Sequence, residues 1–208
     1  MSENEKHNEK MKRLKTSKQK IFAEKTEKKG LIIVNTGTGK GKSTAAFGMV
    51  FRGIAHGMPC AVVQFIKGAM ATGERDLIQQ HFHELCEFHT LGDGFTWDTQ
   101  DKEKDIASAK KAWSKAKELI SNEKKKIILL DEINIALRYG YVEIDDVVTF
   151  LLEKKPKMTH VILTGRNANE KLIGIADLVT DMTLVKHHFR NGVMLSLIHI
   201  SEPTRLRR

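Results

Sequence analysis

The stretch Gly37-Thr38-Gly39-Lys40-Gly41-Lys42-Ser43-Thr44 constrains this chain more than any other. It follows the apolar strand pattern Leu31–Asn35 and precedes a helical pattern over 42–56. A strand, a glycine-rich turn and a helix in that order make a phosphate cradle. The glycines let backbone N–H groups turn inward, and the helix N-terminus adds partial positive charge. Lys42 then reaches a phosphate oxygen, and the Ser43 hydroxyl suits Mg²⁺. The glycine spacing is irregular. Aligned on Gly41-Lys42-Ser43, the position of the usual first glycine holds Thr36, and Gly37 is the nearest glycine.

The remaining apolar runs supply a sheet for this turn. Ala61–Ile66, Leu85–His89, Ile127–Asp131, Val161–Thr164 and Leu178–Leu184 read as strands. Residues 74–82, 101–121 and 144–154 read as helices, the long one with Ile106, Ala109, Trp113, Ala116 and Ile120 on one face, and an apolar-rich connector precedes the last. Short continuous apolar runs separated by helices predict a strand layer covered on both faces. The expected fold is α/β: a mostly parallel six-stranded sheet flanked by helices, of the phosphate-loop NTPase, RecA-like type. The longest apolar runs span about four residues, against the roughly twenty a membrane helix needs.

A second element points to a nucleotide triphosphate. Ile127–Leu130 ends in Asp131 and Glu132. In phosphate-loop proteins an acid at such a strand end faces the metal on the neighbouring strand. Either carboxylate suits Mg²⁺, directly or through water, and Glu132 equally suits the first turn of a helix.

The formal net charge of +9 suggests a nucleic-acid partner until it is divided. Residues 1–29 hold ten basic and five acidic side chains, and residues 190–208 hold four and one. Of the 35 basic and 26 acidic residues in the chain, 30–189 is left with 21 and 20. The body is therefore near neutral, and no nucleic-acid or membrane partner is expected. Cys60 and Cys86, 26 positions apart and outside any CxxC spacing, argue for a reducing cytoplasm. His81, His83 and His89 show no metal-ligand spacing and read as solvated. Arg52 and Arg166 suit nucleotide or phosphate contact, and surface ion pairs equally well.

Seven segments together resemble one family. They are Thr36–Thr44 (TGTGKGKST), Val63–Gly68 (VQFIKG), Gly73-Glu74-Arg75, Gly94–Gln100 (GFTWDTQ), Leu129–Glu132 (LLDE), Leu163–Arg166 (LTGR) and Val185–His187 (VKH). In order and spacing over roughly 10–193 they resemble the phosphate-loop ATP:corrinoid adenosyltransferases. The resemblance implies that Co(I) of a reduced corrinoid attacks the 5′ carbon of ATP and triphosphate leaves, giving adenosylcobalamin or its precursor. ATP would lie on Thr36–Thr44 with Arg52 and Arg166, and Mg²⁺ on Ser43, Asp131 and Glu132. Lys42, Glu132, Phe95 and Trp97 would carry the reaction. Phe95 and Trp97 match residues that crowd the lower face of the corrin ring, so that the lower axial ligand is displaced and Co(II) is easier to reduce. Glu74 and Arg75 would line the substrate cleft. The family also implies a homodimer and a reduced flavin or flavodoxin as electron donor.

The chain thus divides into a basic N-terminal arm over 1–29, flexible or helical, an adenosyltransferase domain over 30–193, and a tail over 194–208. In the arm Met11, Leu14, Ile21 and Phe22 suit a thin helical stripe. The tail string SLIHISEPTR resembles a translated sequencing-adapter remnant and is expected to be non-native. Two other functions compete. A hydrolytic NTPase acting with nucleic acid or protein would need a basic groove and an arginine finger. A corrinoid carrier would have no need of Lys42, Ser43 and the two acids.

Overall fold

The computed structural model describes residues 2–66, 72–91 and 102–194. Six parallel strands form one sheet: β1 Ile32–Thr36, β2 Cys60–Gln64, β3 Cys86–Thr90, β4 Ile127–Asp131, β5 His160–Thr164 and β6 Leu178–Asp181. Their order across the sheet is β3-β2-β4-β5-β1-β6. The fold class is the expected one, and every described pairing is parallel. One expectation is corrected. The acidic strand β4 is not the neighbour of β1, because β5 lies between them.

Parallel strands need crossover connections, and the helices provide them on both faces. These are α2 Lys42–Ala55, α3 Gly73–His81, α4 Lys102–Ser121, α5 Ile133–Arg138, α6 Ile144–Glu153 and α7 Glu170–Ile175, while α1 Glu3–Ala23 precedes β1 and joins no strands. Successive strand residues alternate between faces. Ile33, Val62, Leu129 and Ile162 therefore pack with Ala46, Phe47 and Val50 of α2 on one side. Val34, Val63, Leu130 and Leu163 pack with Ala112, Trp113 and Ala116 of α4 on the other. Burying each large aliphatic side chain contributes about 1.5–3 kcal/mol. Trp113 further ties α4 to α6: its Nε1 donates to Asp146 Oδ2 at 2.7 Å, and its ring meets Phe150 edge-on.

Three readings change at element level. The apolar connector before α6 contains α5, whose Ile133, Ala136 and Leu137 are buried. The last strand stops at Asp181 rather than Leu184, because the chain then turns onto the glycine loop. All four residues of β6 are exposed, so this strand is an edge rather than a buried member. The arm is helical. Ser2 and Glu5 close a capping box at the start of α1, yet none of its residues is buried, and Met11, Leu14, Ile21 and Phe22 all stand exposed.

Candidate active site

The carboxyl ends of parallel strands are where crossover loops gather, and the polar residues converge there. β1 ends at Thr36, and the loop returns as α2 at Lys42. Gly37 and Gly41 have φ of 100° and 106°, a region that favours glycine because it has no Cβ. The loop also lies against the chain leaving β6. Met182 N–H donates to Thr36 O at 2.9 Å, and Gly39 N–H donates to Met182 O at 2.5 Å. A Cβ on Gly39 would stand 2.6 Å from Met182 O, and one on Gly37 would collide with Asp181 Oδ1. The irregular glycine pattern therefore has a structural cause: the Asp181 carboxylate and the backbone of residues 182 and 183 occupy the space that side chains at 37 and 39 would need.

Lys42 is buried, and its Nζ donates to Gly39 O at 2.5 Å, which folds the ammonium back over the loop. Asn35 Nδ2 donates to Lys42 O at 3.3 Å and so ties the start of α2 to β1. Ser43 Oγ donates to Asp131 Oδ1 at 2.7 Å. That bond spans the intervening strand and joins the glycine loop to the acidic strand end. Asp131 is 0% exposed. A carboxylate so buried must have hydrogen-bond donors. Thr164 Oγ1 donates to Oδ1 at 2.8 Å, and Gln64 Nε2 donates to Oδ2 at 3.0 Å.

Glu132 follows in a left-handed conformation, φ 64° and ψ 19°. For a residue with a side chain this costs on the order of 1 kcal/mol or more, and such strain concentrates at functional sites. Its N–H donates to Thr164 Oγ1 at 2.9 Å. Glu132 occupies the N-cap position of α5 but makes no side-chain cap bond. Its Oε2 lies 3.2 Å from where a Cβ on Gly165 would stand, and Asn134 Cβ lies 2.9 Å from that point. Asn134 Nδ2 donates to Gly165 O at 3.1 Å, while its buried Oδ1 has no hydrogen-bond partner among the described residues.

The donor set is hydroxyl and carboxylate oxygen, which suits a hard divalent cation such as Mg²⁺ shared with phosphates. No group of three or more His, Cys, Asp or Glu among the described residues forms a metal cage. Of the other residues singled out, Thr38 and Thr44 are exposed and Lys40 is half-buried on the loop. Arg166 is half-buried just beyond Gly165, whereas Arg52 is exposed on α2. Glu74 and Arg75 are half-buried on α3, with Arg75 against Asp76 at 3.3 Å. Val185 is 94% exposed. His81 and His83 are exposed, and His89 faces Glu87 at 3.4 Å. Phe95 and Trp97 lie outside the described residues. Gln64 and Thr164 stood in the motifs without a role, and only the structure shows both on Asp131.

A family model described as ATP:corrinoid adenosyltransferase BtuR/CobO/CobP matches residues 28–196. A corrinoid adenosyltransferase of Sinorhizobium sp is 67% identical over 187 residues, 90% of this chain and 87% of the relative. One of Pseudomonas aeruginosa is 45% identical over 189 residues, 91% of this chain and 92% of the relative. One of Escherichia coli (strain K12) is 39% identical over 189 residues, 91% of this chain and 94% of the relative.

Proposed function

The chain belongs to the ATP:corrinoid adenosyltransferases and transfers an adenosyl group from ATP to a corrinoid; from that premise we propose how its residues divide the work. Co(I) supplies the electron pair of the new Co–C5′ bond. The C5′–O bond breaks, and triphosphate departs with its pair. Cobalt in this state is a strong nucleophile, so no general base is required. What the protein supplies is position and compensation for charge on the leaving group.

Lys42 and Lys40, with the Gly37–Gly41 backbone and the N-terminus of α2, hold the triphosphate, and Arg166 and Arg52 are the outlying cations toward the nucleotide. Ser43, Asp131 and Glu132 are the residues that would hold Mg²⁺. When bound, that ion neutralises phosphate charge. Phe95 and Trp97 form the apolar wall under the corrin ring. The observation that carries this reading is the buried Ser43–Asp131 bond at 2.7 Å, which unites the phosphate loop with the acidic strand end in one site. A hydrolase acting on nucleic acid is not favoured, since the relatives are corrinoid adenosyltransferases and the body of the chain is near neutral.

We also propose a homodimer, a reduced flavin or flavodoxin as electron donor, and a cytoplasmic location. Cys60 and Cys86 support the last: they sit in register on neighbouring strands and are both free thiols. No helix among the described residues is long and apolar enough to cross a membrane.

The test is an anaerobic assay with ATP, Mg²⁺ and chemically reduced cobalamin. The expected result is the cobalt–carbon product spectrum together with inorganic triphosphate. A folded, ATP-binding sample that releases orthophosphate and alkylates no cobalt would overturn the reading. For the apolar wall, Trp97→Ala should spare transfer to pre-formed Co(I) and impair the route that starts from Co(II). Equal loss on both routes would remove that role.

A further inference from the structure

The ladder register brings one polar residue from each strand to the same level. Thr90 lies beside Gln64 and Gln64 beside Asp131, while Thr164 lies beside Asn35 and Asn35 beside Thr180. Register partners point to one face, so this row caps the apolar layer of Ile33, Val62, Leu129 and Ile162 beneath α2. At its centre Thr164 does two things at once. A hydroxyl has one proton and two lone pairs. The Thr164 proton goes to Asp131 Oδ1 at 2.8 Å, and the Glu132 amide is accepted at 2.9 Å. Its own exposure is 0%.

We propose that Thr164 is a positioning residue for adenosyl transfer, orienting the Asp131 carboxylate toward Ser43 and fixing the left-handed turn that aims Glu132. This rests on the reading of Ser43, Asp131 and Glu132 as the cation-holding set. The physical basis is that both acids depend on the same oxygen. Asp131 Oδ1 accepts hydrogen bonds from Ser43 and Thr164, so losing the Thr164 hydroxyl removes one of the bonds that set the carboxylate's orientation. The Glu132 N–H, in a conformation that is unfavourable for a side-chain-bearing residue, loses its buried acceptor in the same change. Gln64 steadies Oδ2 from the opposite strand at 3.0 Å but makes no contact with the Glu132 backbone.

The test is a Mg²⁺ titration of ATP binding by calorimetry without corrinoid, run on the wild type, Thr164→Val, Thr164→Ser and Asp131→Asn, with a thermal melt of each. Thr164→Val keeps the shape and removes the hydroxyl. It should raise the Mg²⁺ concentration for half-maximal binding by about tenfold or more, as loss of a ligand-orienting partner does elsewhere. Thr164→Ser should return it to within about twofold. Should the valine protein not fold, Thr164→Ala removes the same hydroxyl and carries the same expectation. A lowered melting temperature with an unchanged Mg²⁺ requirement in the hydroxyl-less variant, while Asp131→Asn shifts it, overturns this inference alone. If Asp131→Asn also leaves the Mg²⁺ requirement unchanged, the cation-holding set itself is wrong and the inference falls with it.

Discussion

The two ends of the sheet hold their carboxylates in different ways: partly exposed at the amino end, fully buried at the carboxyl end. At the amino end acids meet basic side chains. Lys125 Nζ stands 2.5 Å from Glu87 Oε1, and Lys29 Nζ stands 2.5 Å from Asp177 Oδ1. Lys125 holds the Glu87 carboxyl below its usual range, although burial works the other way. At the carboxyl end Asp131 accepts hydrogen bonds from two hydroxyls and an amide. An ion pair orients a carboxylate and cancels its charge. Hydroxyl and amide donors orient it through their dipoles. The amino end also includes a dense thiol pair: burial pushes Cys60 up to about 11 and Cys86 up to about 12, so neither is a reactive thiolate near neutral pH. One end pairs its acids with lysines, and the other joins its acid to the glycine loop through Ser43.

The sharpest way to break this contrast is at Lys42. Lys42→Ala should lower kcat/KM for adenosyl transfer by about 10²–10³, the usual cost of removing one group that stabilises developing charge. Circular dichroism should show an unchanged fold. A comparable loss on changing Lys125 would mean that the amino end also serves the reaction, and the division would fail.

Next in size is a pair of glycines in one stretch of chain. Gly39→Ala must displace the backbone of Met182 and Thr183, which stands 2.6–2.7 Å from the new Cβ. Overpacking of this kind costs about 1–3 kcal/mol, and here it should weaken ATP binding as well. Gly48, exposed within α2, has nothing within 4 Å of the same added atom. Gly48→Ala should therefore raise stability by about 0.5–1 kcal/mol through helix propensity alone. Denaturant melts of both variants check the sign, and ATP titration checks that only the first touches the site. Equal effects would remove the tight fit against residues 182–183 as the reason for the glycine pattern.

Legibility in the sequence follows the same division. The β1–loop–α2 unit and the acid pair after Leu130 were readable because local spacing alone specifies them. The strands were readable because each is a short apolar run between helices. The exposed edge at β6 was not, since Leu178 and Val179 look like buried-strand residues and only the strand order puts them outside. Helix α5 was hidden because its six residues are too few to show a period. The clamp on Asp131 was hidden for another reason. Gln64 and Thr164 lie 67 and 33 positions from it, and register alone brings them together. A signal was nonetheless present: the runs Ile-Val-Asn, Val-Val-Gln, Leu-Leu-Asp and Ile-Leu-Thr each end in one polar residue, at 35, 64, 131 and 164. Aligning strand ends rather than motifs would have found the row.

The smallest expected effect tests the amino end by pH. His160 opens β5, and its Nδ1 accepts the Leu31 N–H at 3.1 Å, which requires an unprotonated nitrogen. Nearby, Lys155 Nζ donates to Gly30 O and Thr159 O, both at 2.9 Å, where the arm meets the body. Burial, and then the Lys155 charge, hold the His160 pKa below its ordinary 6.5. The folded protein therefore binds this proton more weakly than the unfolded chain does. Its contribution to stability is complete above pH 6.5 and declines as the pH falls below that value. The melting temperature should drop between pH 8 and pH 5.5, and His160→Gln should flatten part of that slope while leaving adenosyl transfer at pH 8 unchanged. An identical slope in the variant would show that His160 does not hold the junction in its neutral form. A change in transfer without a change in slope would tie this end of the sheet to the reaction and contradict the separation of the two ends.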